Sequence, residues 1–267
     1  MIYFTDLDRT LIYSKNLINK DIKAISIEKY NGEDISFITE SSLYKLREIL
    51  KKRKIIPTTT RNIEQYERIK FKDNNVIFPW AIVCNGGYIL HNGVRLRDWD
   101  EIVSLRLKEC EELEKVREAF NVYEKKHGIL KVREVYSMFF YIVVDKKNFK
   151  NNVLDVFIEY LRSVNWECYF SGRKIYFIPN ALKKEEAVKY LTKYLGEDEF
   201  CAMGDSIMDL GMLQDAKRAY LPKNSYLEEY EFKNDIYIPN NLGVLGVEEL
   251  LEDIIKFESL RGGEQWV

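Results

Sequence analysis

Two aspartates placed directly after a short apolar run constrain the fold of this chain more than any other feature. The run is Ile2-Tyr3-Phe4-Thr5, and Asp6-Leu7-Asp8-Arg9-Thr10 follows it. A short apolar run that is not alternating is typical of a buried strand in a parallel sheet. Carboxylates at the exit of such a strand lie outside its carboxyl end, where open α/β sheets bind their ligands. The segment therefore predicts an α/β fold with an acidic site at one edge of its sheet.

Strand-like and helical patterns alternate over the rest of the first third and over the last third of the chain. The runs 55–60, 81–84 and 200–203 are strand-like, whereas 41–53 and 183–195 show helical spacing of their apolar residues. This alternation predicts a parallel sheet covered by helices. Segment 14–38 shows no clear pattern besides the turn signal Asn31-Gly32, so we expect an irregular connection of undetermined role.

The middle of the chain has a different order of elements. A helix, two strands, a second helix and two further strands are expected at 100–126, 129–135, 138–144, 148–162, 166–170 and 174–178. This repeated helix-strand-strand order predicts a compact α+β domain with an antiparallel sheet. We therefore expect a discontinuous α/β domain of residues 1–87 plus 179–267, with an α+β domain of residues 88–178 inserted into it.

Composition excludes several classes of function. The 267 residues carry a net charge of -2, which gives no reason to expect nucleic acid or an anionic membrane as a partner. Widely spaced cysteines argue against a zinc site or a disulfide framework, and no apolar run approaches the length of a bilayer crossing. A cytoplasmic protein is the default expectation, and its oligomeric state stays open.

The acidic residues have the chemistry of phosphoryl transfer. Asp6 emerges directly from its strand and can act as the nucleophile, while Asp8 can donate and accept the proton. Asp205 and Asp209, in a loop after Gly204, offer the hard oxygen ligands that Mg²⁺ prefers. Each pair also has an ordinary explanation, since aspartates cap helices and occupy turns.

Two further residues fit the same site. Thr59 ends a strand-like run and can donate its hydroxyl to a phosphate oxygen, although β-branched residues at a strand end are common in any sheet. Lys184 begins a helical segment and can neutralise phosphoryl charge, although an exposed helix lysine is the commoner finding. Lys183 is an alternative candidate for that role. The co-occurrence of all these residues at strand ends, in one order, favours a common site.

At this point the chain resembles the haloacid dehalogenase superfamily. Asp6-Leu7-Asp8-Arg9-Thr10 matches its D-x-D-x-T motif, and Gly204-Asp205 through Asp209 matches its G-D-x-x-x-D motif. Thr59 and Lys184 fall where the family has its Ser/Thr and its lysine. An insert after Asn85-Gly86-Gly87 resembles the C2-capped branch, which includes Cof-type sugar phosphatases, sucrose-phosphate phosphatase and phosphomannomutase.

The resemblance implies a fold, a metal and a set of roles. The fold is a Rossmann-like parallel-sheet core with an inserted α+β cap of the smaller C2B type. Mg²⁺ is held by the side chains of Asp6 and Asp205 and the main-chain carbonyl of Asp8, with Asp209 in support. The residues expected to bind the substrate phosphate are Thr59, Thr60, Arg61, Asn85 and Lys184.

The chain departs from the family pattern at positions that do not carry the chemistry. Thr60 stands where glycine is usual, Met208 replaces the usual asparagine, and Glu185 follows the lysine in place of glycine. These departures indicate a divergent subgroup and leave the substrate open.

The sequence thus predicts a Mg²⁺-dependent phosphomonoester hydrolase that forms an aspartyl phosphate on a small phosphorylated metabolite, most simply a sugar phosphate. A phosphomannomutase-like phosphomutase would share every motif. A non-catalytic phosphate- or protein-binding module on the same fold would have no need of Asp8.

Overall fold

The computed structural model describes residues 1–18, 21–124 and 128–262, which form two compact units. The first comprises Met1–Arg95 and Lys184–Val267, and the second comprises Leu96–Lys183. The sequence places these boundaries near 87 and 179. Residues 88–95 belong to the first unit because they pair antiparallel with the strand Trp80–Val83 and with one another.

The amino-terminal part of the first unit supplies most of its strands. Its elements are β1 (Ile2–Thr5), β2 (Ala24–Tyr30), β3 (Glu33–Thr39), α1 (Glu40–Leu50), β4 (Lys54–Pro57), α2 (Ile63–Glu67), β5 (Trp80–Val83), β6 (Tyr88–His91) and β7 (Val94–Arg95). Leu43, Leu46 and Ile49 form the buried face of α1, as their helical spacing predicts.

The second unit has the expected α+β composition. Its elements are α3 (Arg97–Leu107), α4 (Leu113–Glu124), β8 (Ile129–Val135), β9 (Phe139–Val144), α5 (Asp155–Ser163), β10 (Trp166–Ser171) and β11 (Lys174–Pro179). The strands form one antiparallel sheet in the order β10-β11-β9-β8. Phe120 of α4 packs against Phe140 of β9 and Phe177 of β11, so aromatic rings join the helices to the sheet.

The chain then returns to the first unit. The returning elements are α6 (Lys184–Tyr194), β12 (Phe200–Met203), α7 (Leu210–Asp215), β13 (Arg218–Tyr220), β14 (Asp235–Tyr237) and α8 (Gly243–Gly262). The parallel sheet has the order β14-β13-β12-β1-β4, with β1 paired to β12 on one side and to β4 on the other. The predicted α/β core with an inserted α+β domain is confirmed. None of the helices in the described part of the chain is long and apolar enough to cross a membrane.

The predicted long helix 100–126 is wrong, because the structure has two helices, α3 and α4, separated by residues 108–112. The carbonyls of Glu109 and Glu111 accept hydrogen bonds from the Asn165 side chain (2.7 Å) and the Trp166 indole (2.8 Å). These tertiary partners take carbonyls that a continuous helix would use itself. Residues 125 and 126 of the predicted helix lie outside the described residues. The predicted helix 148–162 likewise begins later, because a 3₁₀ turn (Asn151–Leu154) precedes α5.

Segment 14–38, expected to be irregular, contains an antiparallel hairpin of β2 and β3. Asn31 (φ 51°) and Gly32 (φ 81°) both occupy the left-handed region at its turn, which matches the twist of a two-residue hairpin loop. The register shifts on both sides of Glu28, where the strand carries a buried charge in place of an apolar residue. That irregularity hides the strand from a search for regular alternation.

Candidate active site

The carboxyl edge of the parallel sheet gathers the loops that follow β1, β4 and β12. The amide of Asp6 donates to the carbonyl of Met203 (2.9 Å), and the amide of Thr58 donates to the carbonyl of Thr5 (2.7 Å). These hydrogen bonds extend the pairing of the strands by one residue beyond their ends. The three loops therefore start side by side although they are far apart in sequence.

Lys184, the first residue of α6, lies at the centre of this edge. Its Nζ is 2.7 Å from Oδ1 of Asp6 and 2.6 Å from Oδ1 of Asp209, and its side chain is 1% exposed. Burial alone lowers the pKa of this amine, but the carboxylates of Asp209 and Asp6 outweigh that effect and raise the pKa above its ordinary value. The lysine is therefore charged, and the structure places Lys184, not the neighbouring Lys183, among the aspartates.

Asp209 is a fixed anchor for both the lysine and the loop before it. Its Oδ2 accepts hydrogen bonds from the amide of Asp205 (3.2 Å), the amide of Ser206 (3.0 Å) and the hydroxyl of Ser206 (2.8 Å). Gly204 makes this approach possible, since a Cβ at that position would lie 2.4 Å from Cβ of Asp209. Both oxygens of Asp209 are thus engaged by the protein itself.

Asp6, Asp205 and Asp209 could together hold a metal ion, because they offer carboxylate oxygens within 4.8 Å of one another. Oδ2 of Asp205 is buried without a hydrogen-bond partner among the described residues, although Nε of Arg9 lies 3.3 Å away in an ion pair. Burial, opposed by Lys184 and reinforced by Asp209, raises the pKa of Asp6 to about 7. Burial together with Asp6 and Asp209 raises the pKa of Asp205 to about 8. A buried, unbonded carboxylate oxygen within an all-oxygen set fits Mg²⁺.

Asp8 lies at the rim of the site, where its side chain is 51% exposed and forms an ion pair with Arg61. Nε of Arg61 is 2.7 Å from one carboxylate oxygen of Asp8, and Nη2 is 2.7 Å from the other. The opposite side of the same guanidinium donates to Glu28 (2.9 Å). Burial lowers the pKa of Arg61, but Asp8 and Glu28 more than compensate and raise it. The structure thus gives Arg61 two carboxylate partners within the protein, and its role as a phosphate ligand stays a prediction.

The remaining predicted phosphate ligands lie in two adjoining loops. Thr59 is buried, its amide donates to the carbonyl of Ile82 (2.9 Å), and its hydroxyl oxygen accepts from the amide of Arg61 (3.2 Å). Thr60 is partly exposed in the same loop. The amide of Asn85 donates to the carbonyl of Thr59 (3.0 Å), and Asn85 has a left-handed backbone (φ 56°). All predicted site residues therefore lie along one edge of the first unit.

Sequence reasoning missed two residues at this edge, Glu28 and Arg9. Arg9 has a left-handed backbone (φ 69°), ion-pairs with Asp205 and stacks its guanidinium 5.0 Å from the ring centroid of Tyr226. Its position inside the first motif could have drawn attention to it. Glu28 gave a weaker signal, a single acidic residue in a strand that also contains Ser26 and Lys29.

The first unit is thus a parallel-sheet α/β core with a buried acidic site at its carboxyl edge, where Lys184 pairs with Asp6 and Asp209. The sequence profile of the haloacid dehalogenase-like hydrolases matches residues 3–228, so the chain belongs to this family of enzymes. The predicted resemblance is confirmed. No curated protein sequence matches the chain significantly.

Solved structures share the fold over nearly the entire chain. The sucrose-phosphatase of Synechocystis sp. PCC6803, in complex with sucrose and phosphate, is 16% identical with a TM-score of 0.67, covering 97% of this chain and 98% of its own. A trehalose-6-phosphate phosphatase related protein is 14% identical with a TM-score of 0.57 (98% and 100% covered). A haloacid dehalogenase-like hydrolase of Bacillus subtilis is 21% identical with a TM-score of 0.54 (95% and 92% covered).

Proposed function

We propose that this protein is a Mg²⁺-dependent phosphomonoester hydrolase that acts through an aspartyl phosphate on Asp6. The observation that carries the proposal is the buried ion cluster in which Lys184 bridges Asp6 and Asp209 beside Asp205. The lysine holds Oδ1 of Asp6 and so orients the carboxylate at the end of β1. Preorganised charge of this kind is the main means by which proteins accelerate phosphoryl transfer.

In the first half-reaction, the free carboxylate oxygen of Asp6 attacks phosphorus. The new Asp6–phosphorus bond forms as the bond between phosphorus and the ester oxygen breaks. Asp8 gives its proton to the departing oxygen, which leaves as an alcohol. Lys184 stabilises the charge that accumulates around Asp6 during this step.

In the second half-reaction, water attacks the phosphorus atom of the aspartyl phosphate. Asp8, now ionised, accepts a proton from that water, and the bond between phosphorus and the Asp6 oxygen breaks. Inorganic phosphate leaves, Asp6 is restored, and Asp8 again carries its proton. Asp8 is half-exposed at the rim, and one of its two oxygens must leave Arg61 to carry the proton.

The residues that would hold Mg²⁺ are Asp6 and Asp205, with the main-chain carbonyl of Asp8 as the third protein ligand. Asp209 would support the site from behind, because both of its oxygens already bind protein donors. When bound, Mg²⁺ supplies positive charge against the phosphoryl oxygens.

We further propose a sugar phosphate as the substrate class. The support is the similarity in fold, over 97% of the chain, to a sucrose-phosphatase whose structure contains sucrose and phosphate.

Phosphate release from a panel of sugar phosphates, nucleotides and aryl phosphates tests the proposal. Wild type and Asp6→Asn are compared in Mg²⁺ and in EDTA, with Asp73→Asn, an aspartate 66% exposed on the surface, as the matched control. We expect release that requires Mg²⁺, survives in the control and is lost in Asp6→Asn. A folded wild type that releases no phosphate from any ester contradicts the proposal. Transfer of phosphate between sugar hydroxyls instead of to water indicates a phosphomutase.

A further inference from the structure

Glu28 is a buried carboxylate without a place in the mechanism described above. It lies in β2, its side chain has no exposed surface, and one oxygen accepts hydrogen bonds from Arg61 (2.9 Å) and Arg68 (2.8 Å). Its other oxygen accepts the hydroxyl of Ser36, on the partner strand β3. A buried carboxylate is costly unless charged partners and hydrogen bonds compensate it, and Glu28 has both.

The contacts of Glu28 lead directly to Asp8. Arg61 uses Nη1 for Glu28 and both Nε and Nη2 for Asp8, so a single planar guanidinium joins the two carboxylates. Its side chain is 12% exposed, and the carbonyl of Gln65 accepts a further hydrogen bond from Nη1 (3.1 Å). Fixing one side of a rigid guanidinium fixes the direction of the donors on its other side.

Asp8 itself is the least buried member of this chain of contacts, with half of its side chain exposed. An exposed carboxylate would ordinarily sample several rotamers. The bidentate contact with Arg61 selects one of them, and the position of Arg61 depends on a residue from the β2–β3 hairpin. The hairpin therefore influences the position of the Asp8 carboxyl group through Arg61.

We propose that Glu28 is a positioning residue for Asp8, acting through Arg61. Its effect is on the delivery of a proton to the leaving oxygen, and it does not touch the substrate. Protonated Asp8 keeps one oxygen on Arg61 and turns its hydroxyl to the leaving oxygen, so the same guanidinium holds both forms of Asp8 in place. This assignment rests on the proposed function, in which Asp8 is the acid and base. It also gives the β2–β3 hairpin a role in the reaction.

Leaving groups of different acidity provide the test. The kcat/KM of a phosphatase reports the steps up to cleavage of the ester bond, so it is sensitive to protonation of the leaving oxygen. Nitrophenolate leaves readily without a proton, whereas phenolate gains much more from one. The experiment measures kcat/KM for 4-nitrophenyl phosphate and phenyl phosphate, with Mg²⁺, for wild type, Glu28→Gln and Asp8→Asn.

We expect Glu28→Gln to lose about tenfold or more on phenyl phosphate and less than about threefold on 4-nitrophenyl phosphate, and Asp8→Asn to show the same pattern more strongly. The matched control is Glu258→Gln. Glu258 is 2% exposed and binds Arg53 (2.8 Å) and the hydroxyl of Tyr3 (2.5 Å), near the beginnings of β1 and β4 and so away from the site. Glu258→Gln should leave the ratio of kcat/KM for phenyl phosphate and 4-nitrophenyl phosphate unchanged.

Equal losses on the two esters in Glu28→Gln, or none, would overturn the positioning role while leaving the phosphatase intact. A wild type that hydrolyses neither ester would overturn the proposed function as well. Should Glu28→Gln fail to fold, Arg61→Lys gives the same test, because it keeps the positive charge and loses the planar fork. A preserved ratio in Arg61→Lys would then contradict the proposal.

Discussion

A lysine enclosed by carboxylates is the residue-scale feature on which the site depends. Lys184 has almost no exposed surface, so its charge is compensated by Asp6 and Asp209 and not by water. Removing one partner of such a group leaves the others buried and uncompensated, which is more costly than the net contribution of the intact cluster.

Lys184→Met therefore should lower the free energy of unfolding by about 3 kcal/mol and abolish phosphate release. Lys183→Met is the matched control, because that lysine is adjacent in sequence, partly exposed and outside the cluster. Urea titrations monitored by circular dichroism measure the first effect, and phosphate release measures the second. Equal stability of the two variants would show that the cluster does not stabilise the native state.

Gly204 offers a test that leaves every charged group in place. A Cβ at residue 204 would lie 2.4 Å from Cβ of Asp209. The Asp209 side chain is held in place, because its Oδ2 accepts a hydrogen bond from the amide of Asp205. We expect Gly204→Ala to displace Asp209 and reduce kcat at least about tenfold, since small misplacements in an active site are costly. At Gly211 the three atoms nearest to a new Cβ are Cδ, Oε1 and Cγ of Glu185, which belong to a flexible side chain and not to the backbone. Gly211→Ala should consequently keep most of the activity.

The sequence predicted the residues of the cluster but not the pairing of Asp8. Asp6 follows β1 directly and Asp205 follows β12 after one glycine, and a residue so close to the end of a parallel strand has little freedom of location. The partners of Arg61 are 33 and 53 positions away along the chain. The Glu28 contact depends on how the β2–β3 hairpin packs, and the Asp8 contact depends on how the loops after β1 and β4 meet. No local pattern encodes either.

At the scale of elements, continuous apolar runs were easy to recognise and interrupted ones were not. The strands β1, β4, β5 and β12 are buried along most of their length, so their composition identifies them. In contrast, the break between α3 and α4 depends on hydrogen bonds from Asn165 and Trp166, which lie more than 50 positions away. Local helical periodicity carries no information about such partners.

The backbone conformation of the β2–β3 turn can be tested with a substitution that introduces backbone strain and no steric clash. Gly32 has φ 81°, and a Cβ there would meet no atom within 4 Å, so only its backbone conformation opposes a side chain. We expect Gly32→Ala to lower the free energy of unfolding by about 1 kcal/mol, measured by urea titration. Asn31→Asp should change it by less than about 0.5 kcal/mol, because aspartate tolerates the left-handed region. No loss in Gly32→Ala would mean that the turn relaxes into another type.

The free energy of unfolding of the whole molecule should depend on the charge state of its buried carboxylates. Burial raises the pKa of Asp6 to about 7 and that of Asp205 to about 8, whereas both groups are ordinary aspartates in the unfolded chain, with a pKa of about 3.9. Between these values the native, metal-free protein binds more protons than the unfolded chain. Its free energy of unfolding must therefore fall as the pH rises through this interval, and the stabilisation is complete only below the unfolded pKa.

Mg²⁺ should oppose this loss, because it binds the ionised carboxylates and therefore stabilises the protein more as the pH rises. We expect the Tm in EDTA to be lower at about pH 8 than at about pH 5, and Mg²⁺ to raise it most at the higher pH. Asp205→Asn removes one titrating group, so its Tm in EDTA should vary less with pH and respond little to Mg²⁺. The comparison between the two proteins cancels the titration of groups that do not interact with Asp205. A wild type whose Tm in EDTA changes with pH in the same way as that of Asp205→Asn would show that Asp205 is already ionised in the folded, metal-free state.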